Sequence, residues 1–242
     1  MADETRNQSL AHAFDSATTK ARYVRRLFAT IADRYDLITR LLSFGFDQRW
    51  KRRLIALARV GHGTRVLDLA CGTGDLALLA AAAGARATGL DITLRMLEIA
   101  QAKPCDVAIA WVAGDMCALP VASGSFDRVT TGYGLRNVPD LARAIAEIHR
   151  VLTDDGVLCS LDFNRPGWAP LRVAYLAYLT MVGATLGVAL HGDPDTYRYI
   201  PQSIRRYPGA SRVAGMLLSA GFRDVRHIPV LGGLMAIHVA KK

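Results

Sequence analysis

At 242 residues, 51% of them hydrophobic and 21% charged, the chain can bury a full core, which excludes a largely disordered protein and fits one globular domain with additions. Its formal charge is +9, from 30 Lys and Arg against 21 Asp and Glu, with conspicuous basic runs in KARYVRR and QRWKRR. A basic surface suits nucleic acid, an anionic membrane or an anionic cofactor, and charge alone does not choose among them.

The first residues, MADETRNQSL, are polar and lack the apolar core of a signal peptide, so a cytoplasmic protein is expected. Cys71, Cys105, Cys117 and Cys159 form no CxxC pair, which argues against a zinc site or a disulfide framework and for a reducing compartment. The six histidines show no ligand spacing, and no metal is expected. A helical region runs to about Leu57 and contains YDLITRLLSFGFDQRWKRRLI.

From Arg65 onward, apolar runs of strand length alternate with helical patterns. RVLDLA reads as a buried strand and DLALLAAAAGA as a helix ended by Gly84. RATGLD is a second strand, LRMLEIAQAK a helix stopped by Pro104, VAIAWVAGD a third strand and FDRVTTGYG a fourth. The next helix, DLARAIAEIHRVL, places Leu141, Ile145, Ile148 and Leu152 on one face, and GVLCSLDF is a fifth strand. From Val173 to Leu190 the chain carries no charged side chain, long enough for a membrane span to be considered. Its glycines, threonines and tyrosines favour instead one or two apolar helices covering something greasy, in the protein or at a membrane surface. VRHIPVLGGLMAIHVAKK closes the chain as two strands joined by Gly232 and Gly233, a two-residue hairpin turn.

The order predicts an α/β protein with a doubly wound, mostly parallel seven-stranded sheet ending in an antiparallel β-hairpin. It is one domain in four parts: an N-terminal helical cap (1–57), a cofactor-binding core (58–163), a helical insertion or lid (164–208), and a terminal helix with the hairpin (209–242).

In such sheets the ligand sits beyond the carboxyl ends of the strands. DLACGTGD follows the first strand; Gly72 and Gly74 let a backbone approach a ligand, and the next helix offers unpaired N–H groups. Gly72, Gly74 and Ala77 also satisfy a loose dinucleotide pattern, and a plain tight turn explains them as well. Acidity separates these readings. Asp68 and Asp75 flank the loop and would repel a diphosphate, which favours a cationic ligand without phosphates. S-adenosylmethionine has that chemistry. Asp91, ending the second strand, is placed for both ribose hydroxyls, while Asp115 and Met116 in GDM offer an acceptor and an apolar face to the adenine.

VLDLACGTGD, GDMCALPVASGSFD, GYGLRNVPD and EIHRVLTDDGVLCSLDFNRP together resemble the class I S-adenosylmethionine methyltransferases of the UbiE/MenG family. YDLITRLLSFGFDQRWKRRL, DPDTYRYIPQSIRRYPG, AGFRDV and LGGLMAIH extend the resemblance from Phe28 to His238. It implies a Rossmann-like methyltransferase that methylates a ring carbon of polyprenyl quinols in ubiquinone and menaquinone synthesis. Thr73, Asp91, Asp115 and Met116 would then contact the cofactor. Gly132 stands where many members have serine, Thr39 where asparagine is usual, and DFNRP in place of EFS-x-P, departures grouped around the acceptor pocket.

For that chemistry Arg136 would favour the ionised hydroxyl of the quinol and Asn137 would orient its oxygen. The plainer alternative pairs Arg136 with Asp140 and leaves Asn137 to cap the next helix. Tyr35, with Asp36, is a weaker candidate for the acceptor pocket. Tyr197, Tyr199 and Arg205 are expected to face the substrate, and His238 is expected to be a satisfied strand histidine. A lipophilic quinol and a peripheral contact with anionic membrane are the expected partners, with no nucleic acid; a homodimer stays open. A methyltransferase of a soluble specialised metabolite is the alternative, ahead of a nucleic-acid methyltransferase, for which aromatic and basic interleaving is lacking; a non-catalytic interaction protein comes last.

Overall fold

The computed structural model describes residues 10, 12–43 and 45–242. Ser16 and Thr19 form a reciprocal capping box that starts helix α1 (Ala17–Ile31), and a single 3-10 turn leads into α2 (Tyr35–Leu42) and then α3 (Asp47–Leu57). The core alternates as expected: β1 (Arg65–Leu69), α4 (Asp75–Ala82), β2 (Arg86–Asp91), α5 (Leu94–Ala102), β3 (Ala110–Ala113), β4 (Phe126–Gly132), α6 (Leu141–Val151) and β5 (Leu152–Phe163). After α7 (Ala169–His191), α8 (Asp195–Arg206) and α9 (Ala210–Ser219), the chain ends in β6 (Arg223–Val230) and β7 (Met235–Lys241).

These seven strands form one sheet in the order β3-β2-β1-β4-β5-β7-β6. The neighbours β3-β2-β1-β4-β5 are parallel, and β7 runs antiparallel to both β5 and β6. The order reverses between β1 and β4, which opens a crevice at their carboxyl ends. Alternate strand residues feed two opposite layers: Leu67, Leu69 and Val129 pack with Ile145 and Ile148 of α6 and Val213 of α9. Val66, Cys159 and Ile237 pack with Leu54 of α3 and Ala80 of α4. A third cluster lies above the crevice, where α1, α2, α7 and α8 bring together Leu27, Ile38, Leu179, Tyr197 and Tyr199.

Two local expectations change and a third is narrowed. The hairpin turn is a 3-10 turn, Leu231–Gly233, followed by Leu234, longer than the two-residue turn expected; Leu231, Gly232 and Gly233 all have positive φ. Leu152 leaves helix α6 to open β5, where it pairs with Phe126. The charge-free stretch lies within a single 23-residue helix, long and apolar enough to cross a membrane, and only 28% of that helix's most apolar window is buried. Gly187 lets α7 press against the start of α8, since a Cβ there would lie 2.4 Å from the Asp193 carbonyl oxygen.

Candidate active site

The crevice holds a cavity of about 750 Å³ walled by the ends of β1, β2 and β4, with Val24 and Phe28 of α1 closing it from above. Asp91 is fixed there by two backbone amides: Gly72 N–H donates to Oδ2 at 2.9 Å and Thr93 N–H to Oδ1 at 2.8 Å. Asp115 accepts from Cys117 N–H at 2.8 Å, and Met116, Met96 and Leu90 supply apolar wall. Two carboxylates face this space, and no lysine or arginine stands among the described residues that line it. That donor set fits a ligand rich in hydroxyls and amines, and it rejects a diphosphate.

A smaller polar cavity of about 300 Å³ lies alongside, lined by Lys51, Asp68, Thr73 and Asp75. Asp68 is turned into the protein, accepting from Ala77 N–H at 3.2 Å and Thr130 Oγ1–H at 2.9 Å. Burial pushes its carboxyl up to about 7, against the pull of those bonds and of Lys51. Asp75 behaves oppositely: burial raises it, but Lys51 and Lys103 outweigh that and hold it below the usual carboxylate range. Thr73 Oγ1 donates to Asp36 Oδ1 at 2.5 Å, a contact to the helical cap.

A third cavity, about 730 Å³ and almost wholly apolar, opens beneath α2, α7 and α8. Arg136 is the one charged side chain among its described lining residues, beside Phe28, Trp50, Phe163, Tyr175, Tyr197 and Tyr199. Arg136 is 5% exposed. Its Nε donates to Asp162 Oδ1 at 3.4 Å, its backbone N–H donates to Asp162 Oδ2 at 3.0 Å, and Nη1 donates to Ser203 Oγ. The guanidinium stacks 4.9 Å from the centre of the Phe163 ring. Asn137 donates from Nδ2 to the Tyr133 carbonyl at 2.8 Å and accepts from Tyr199 Oη–H at 3.1 Å.

Tyr35 and Tyr133 line all three cavities, so they form the wall where the spaces meet. Tyr133 has φ 62, a left-handed conformation that costs a tyrosine about 1–2 kcal/mol. Its N–H donates to Leu161 O at 2.7 Å and its Oη–H to Asp47 Oδ1 at 2.8 Å, both of which fix that geometry. Helix α1 is tied across the following loop by Lys20, whose Nζ donates to the carbonyls of Arg136 (3.1 Å) and Val138 (2.6 Å). Burial first, then Arg136, pulls the Lys20 ammonium down to about 8.

Of the residues singled out in the sequence, Gly72, Asp91, Asp115, Met116 and Asn137 come together on the first cavity, and Arg136, Tyr197 and Tyr199 on the apolar one. Asp68 and Thr73 line the small polar cavity, so Asp68 is set back from the place expected of it. Gly74 lines none of the three: at φ 86 it caps α4, and a Cβ there would meet the Trp111 ring at 2.6 Å, so packing rather than ligand approach requires glycine. Arg205 is corrected outright. It is exposed on α8 and lines no cavity described, while Ser203 of the same helix reaches Arg136. The plainer partner for Arg136 is also corrected: Asp140 caps α6 through Arg143 N–H at 3.0 Å, and Asp162 takes Arg136. His238 bonds Ala210 O at 3.0 Å and Ser160 Oγ at 3.4 Å, as a satisfied strand histidine should.

Sequence reasoning missed Asp47, Lys51, Tyr133, Asp162 and Ser203. Asp162 in DFNRP, a carboxylate at the end of an otherwise apolar strand, is the signal the sequence offers.

The profile of the ubiE/COQ5 methyltransferase family matches residues 16–242. A demethylmenaquinone methyltransferase of Thermus thermophilus is 40% identical over 220 residues, covering 89% of this chain and 100% of its own. A ubiquinone/menaquinone biosynthesis C-methyltransferase UbiE of Geotalea uraniireducens is 35% identical over 232 residues, covering 93% and 98%. Among solved structures, a SAM-dependent methyltransferase of Thermotoga maritima, described as a possible histamine N-methyltransferase, superposes with a TM-score of 0.66 over 90% of this chain and 99% of its own; at 16% identity it speaks to the fold alone.

Proposed function

The chain belongs to the ubiE/COQ5 methyltransferase family, and from that premise we propose that it moves a methyl group from S-adenosylmethionine to a ring carbon of a polyprenyl quinol in menaquinone or ubiquinone biosynthesis. The observation that carries the acceptor is the apolar cavity of about 730 Å³ with a single buried arginine, which shares Phe28, Tyr35 and Tyr133 with the acidic cavity. Asp91, Asp115 and Met116 hold the donor, which supplies an electrophilic methyl group. The chain's own contribution is position: two adjacent spaces share one wall, so a ring in one is placed beside a methyl in the other.

Arg136 favours the ionised hydroxyl of the ring through its charge, and Asp162 and Ser203 hold the guanidinium in place. Because Asp162 offsets much of that charge, Arg136 acts as an oriented donor more than as a free cation. Tyr197 and Tyr199 wall the ring, and Asn137 links Tyr199 to the loop.

The isoprenoid tail and the membrane belong to the same proposal. One face of α7 leaves Val173, Met181 and Val188 exposed, at 65%, 69% and 56%, with Trp168 just before it. From Asn164 to Gly192 there is no acidic residue, Arg165 and Arg172 stand near one end of the helix, and Arg34 donates to the Leu190 carbonyl at the other. That pattern suits a cytoplasmic protein resting peripherally on anionic lipid. Labelled S-adenosylmethionine with reduced short-tail demethylated naphthoquinol and benzoquinol, followed by mass analysis, tests the function; label in neither ring overturns it. Arg136→Ala should abolish turnover while cofactor affinity is kept, and equal loss of both would make Arg136 a structural residue.

A further inference from the structure

We infer that Tyr133 and Asp47 form a proton relay in which Tyr133 Oη takes the hydroxyl proton of the acceptor ring while its own proton passes to Asp47 Oδ1. This rests on the quinol function above. Among the described residues lining the acceptor cavity there is no Asp, Glu, His, Lys or Cys. Arg136 is a permanent cation and cannot accept a proton. Asp162 has both oxygens occupied, by Arg136 N–H and by Arg136 Nε–H together with Phe163 N–H. A proton acceptor must therefore be reached through a tyrosine.

Four tyrosines of that wall have a hydroxyl partner: Tyr35, which also lines both cavities, bonds the Thr39 side chain, a hydroxyl and no base. Tyr199 gives its proton to an amide oxygen, which is no base. Tyr197 pairs with His191 Nε2 at 2.9 Å, but it lines the acceptor cavity alone. Tyr133 lines both the donor and the acceptor cavities, where the reacting carbon must lie, and its hydroxyl ends on a buried carboxylate 2.8 Å away. From Asp47 the charged groups continue outward: Lys51 at 2.6 Å, Asp75 at 2.8 Å, Lys103 at 2.9 Å and Asp36 at 2.8 Å, the last 44% exposed. Lys51 steadies the carboxylate, and this line connects it to solvent. Tyr133 holds a left-handed backbone that only glycine adopts without strain, which fits a side chain needed at this position.

The steps balance. The ring O–H breaks, its proton goes to Tyr133, and Tyr133's proton goes to Asp47. The ring carbon then takes the methyl group, and the electron pair of the broken C–S bond stays on sulfur. Loss of the proton on that carbon to water restores the aromatic ring, the relay returns its proton to the ring oxygen, and one proton leaves overall. Tyr133 is the catalytic group; Asp47 acts through it.

Tyr133→Phe and Asp47→Asn are compared with the wild type and with Tyr197→Phe, using reduced short-tail quinols across pH 6–10. The wild type reads the quinol function itself, so failure of that function and failure of the relay are separate results. The expected outcome is kcat about 100-fold down near pH 7 for either relay variant, with KM and cofactor affinity kept. The deficit should close as pH rises or as the quinol is made more acidic by halogenation, whereas Tyr197→Phe, which alters a wall residue outside the relay, should change the rate by the same factor at every pH. Without the methyl donor, the ultraviolet absorbance of a bound redox-stable naphthol should report a larger ionised fraction on wild type than on Tyr133→Phe. Unchanged kcat, or a loss equal at every pH and with every quinol, overturns the relay and leaves Tyr133 an anchor for α3. If Asp47→Asn does not fold, Tyr133→Phe, which keeps the ring, decides alone.

Discussion

Asp162→Leu strands a charge. The carboxylate is 1% exposed and accepts three hydrogen bonds, from Arg136 N–H, Arg136 Nε–H and Phe163 N–H. Removing one partner of a buried ion pair costs about 3–5 kcal/mol, and each orphaned amide adds about 1 kcal/mol. Arg136 recovers part of this through Ser203 and the Phe163 ring, so a net loss of about 4–6 kcal/mol is expected, a large share of a typical ~5–15 kcal/mol total. In urea unfolding followed by circular dichroism, with a slope of about 3 kcal/mol per molar, the midpoint should fall by about 1.5 M. The double variant Arg136→Met with Asp162→Leu removes the charge as well and should lose only about 1–3 kcal/mol, that of the amides and imperfect packing. A single variant that loses under about 1 kcal/mol, or a double variant as unstable as the single, would refute the claim that this pair is desolvated and coupled.

Gly74→Ala should cost more than about 1 kcal/mol, because φ 86 is unfavourable and the new methyl meets Trp111; Trp111→Phe should restore part of it in thermal melts, and full stability in Gly74→Ala alone would contradict the packing. Asp91→Ala should weaken S-adenosylmethionine binding by about 10- to 100-fold in calorimetry, since the carboxylate is held by two amides and faces the cavity; unchanged affinity would remove it from the cofactor site. Asp68 is raised in the folded state, so the folded protein binds the extra proton: its contribution is complete below about pH 4 and is lost as pH rises through about 7. Asp68→Asn should therefore flatten stability against pH in that window, by at most about 1.4 kcal/mol per pH unit, and parallel curves would count against the shift. Met181→Glu with Val173→Glu should lower sedimentation with anionic liposomes while leaving turnover on a short-tail quinol intact; equal sedimentation would place the lipid contact elsewhere.

The sequence by itself determined the repeating layers, because strand and helix periodicities are written in neighbouring residues and each element needs only its own pattern to declare a buried face. It also determined the acidic strand ends: Asp91 and Asp115 lie where a parallel strand must stop, and strand order alone puts them on one crevice. The family likeness added Arg136 and Asn137, but not what holds them. Tertiary structure alone decided that Asp162, 26 residues away, pairs with Arg136, that Tyr133 meets Asp47 across 86 positions, and that Arg205 points outward while Ser203 points in. It decided that Asp68 turns inward and that Gly74 answers to Trp111. It also decided that α7 is one helix with an uncovered apolar face. The reason is the same in each case. A backbone pattern repeats locally and can be seen in sequence, whereas a side chain's partner is whichever group the packed layers bring within about 3 Å, and nothing in the intervening residues encodes that distance.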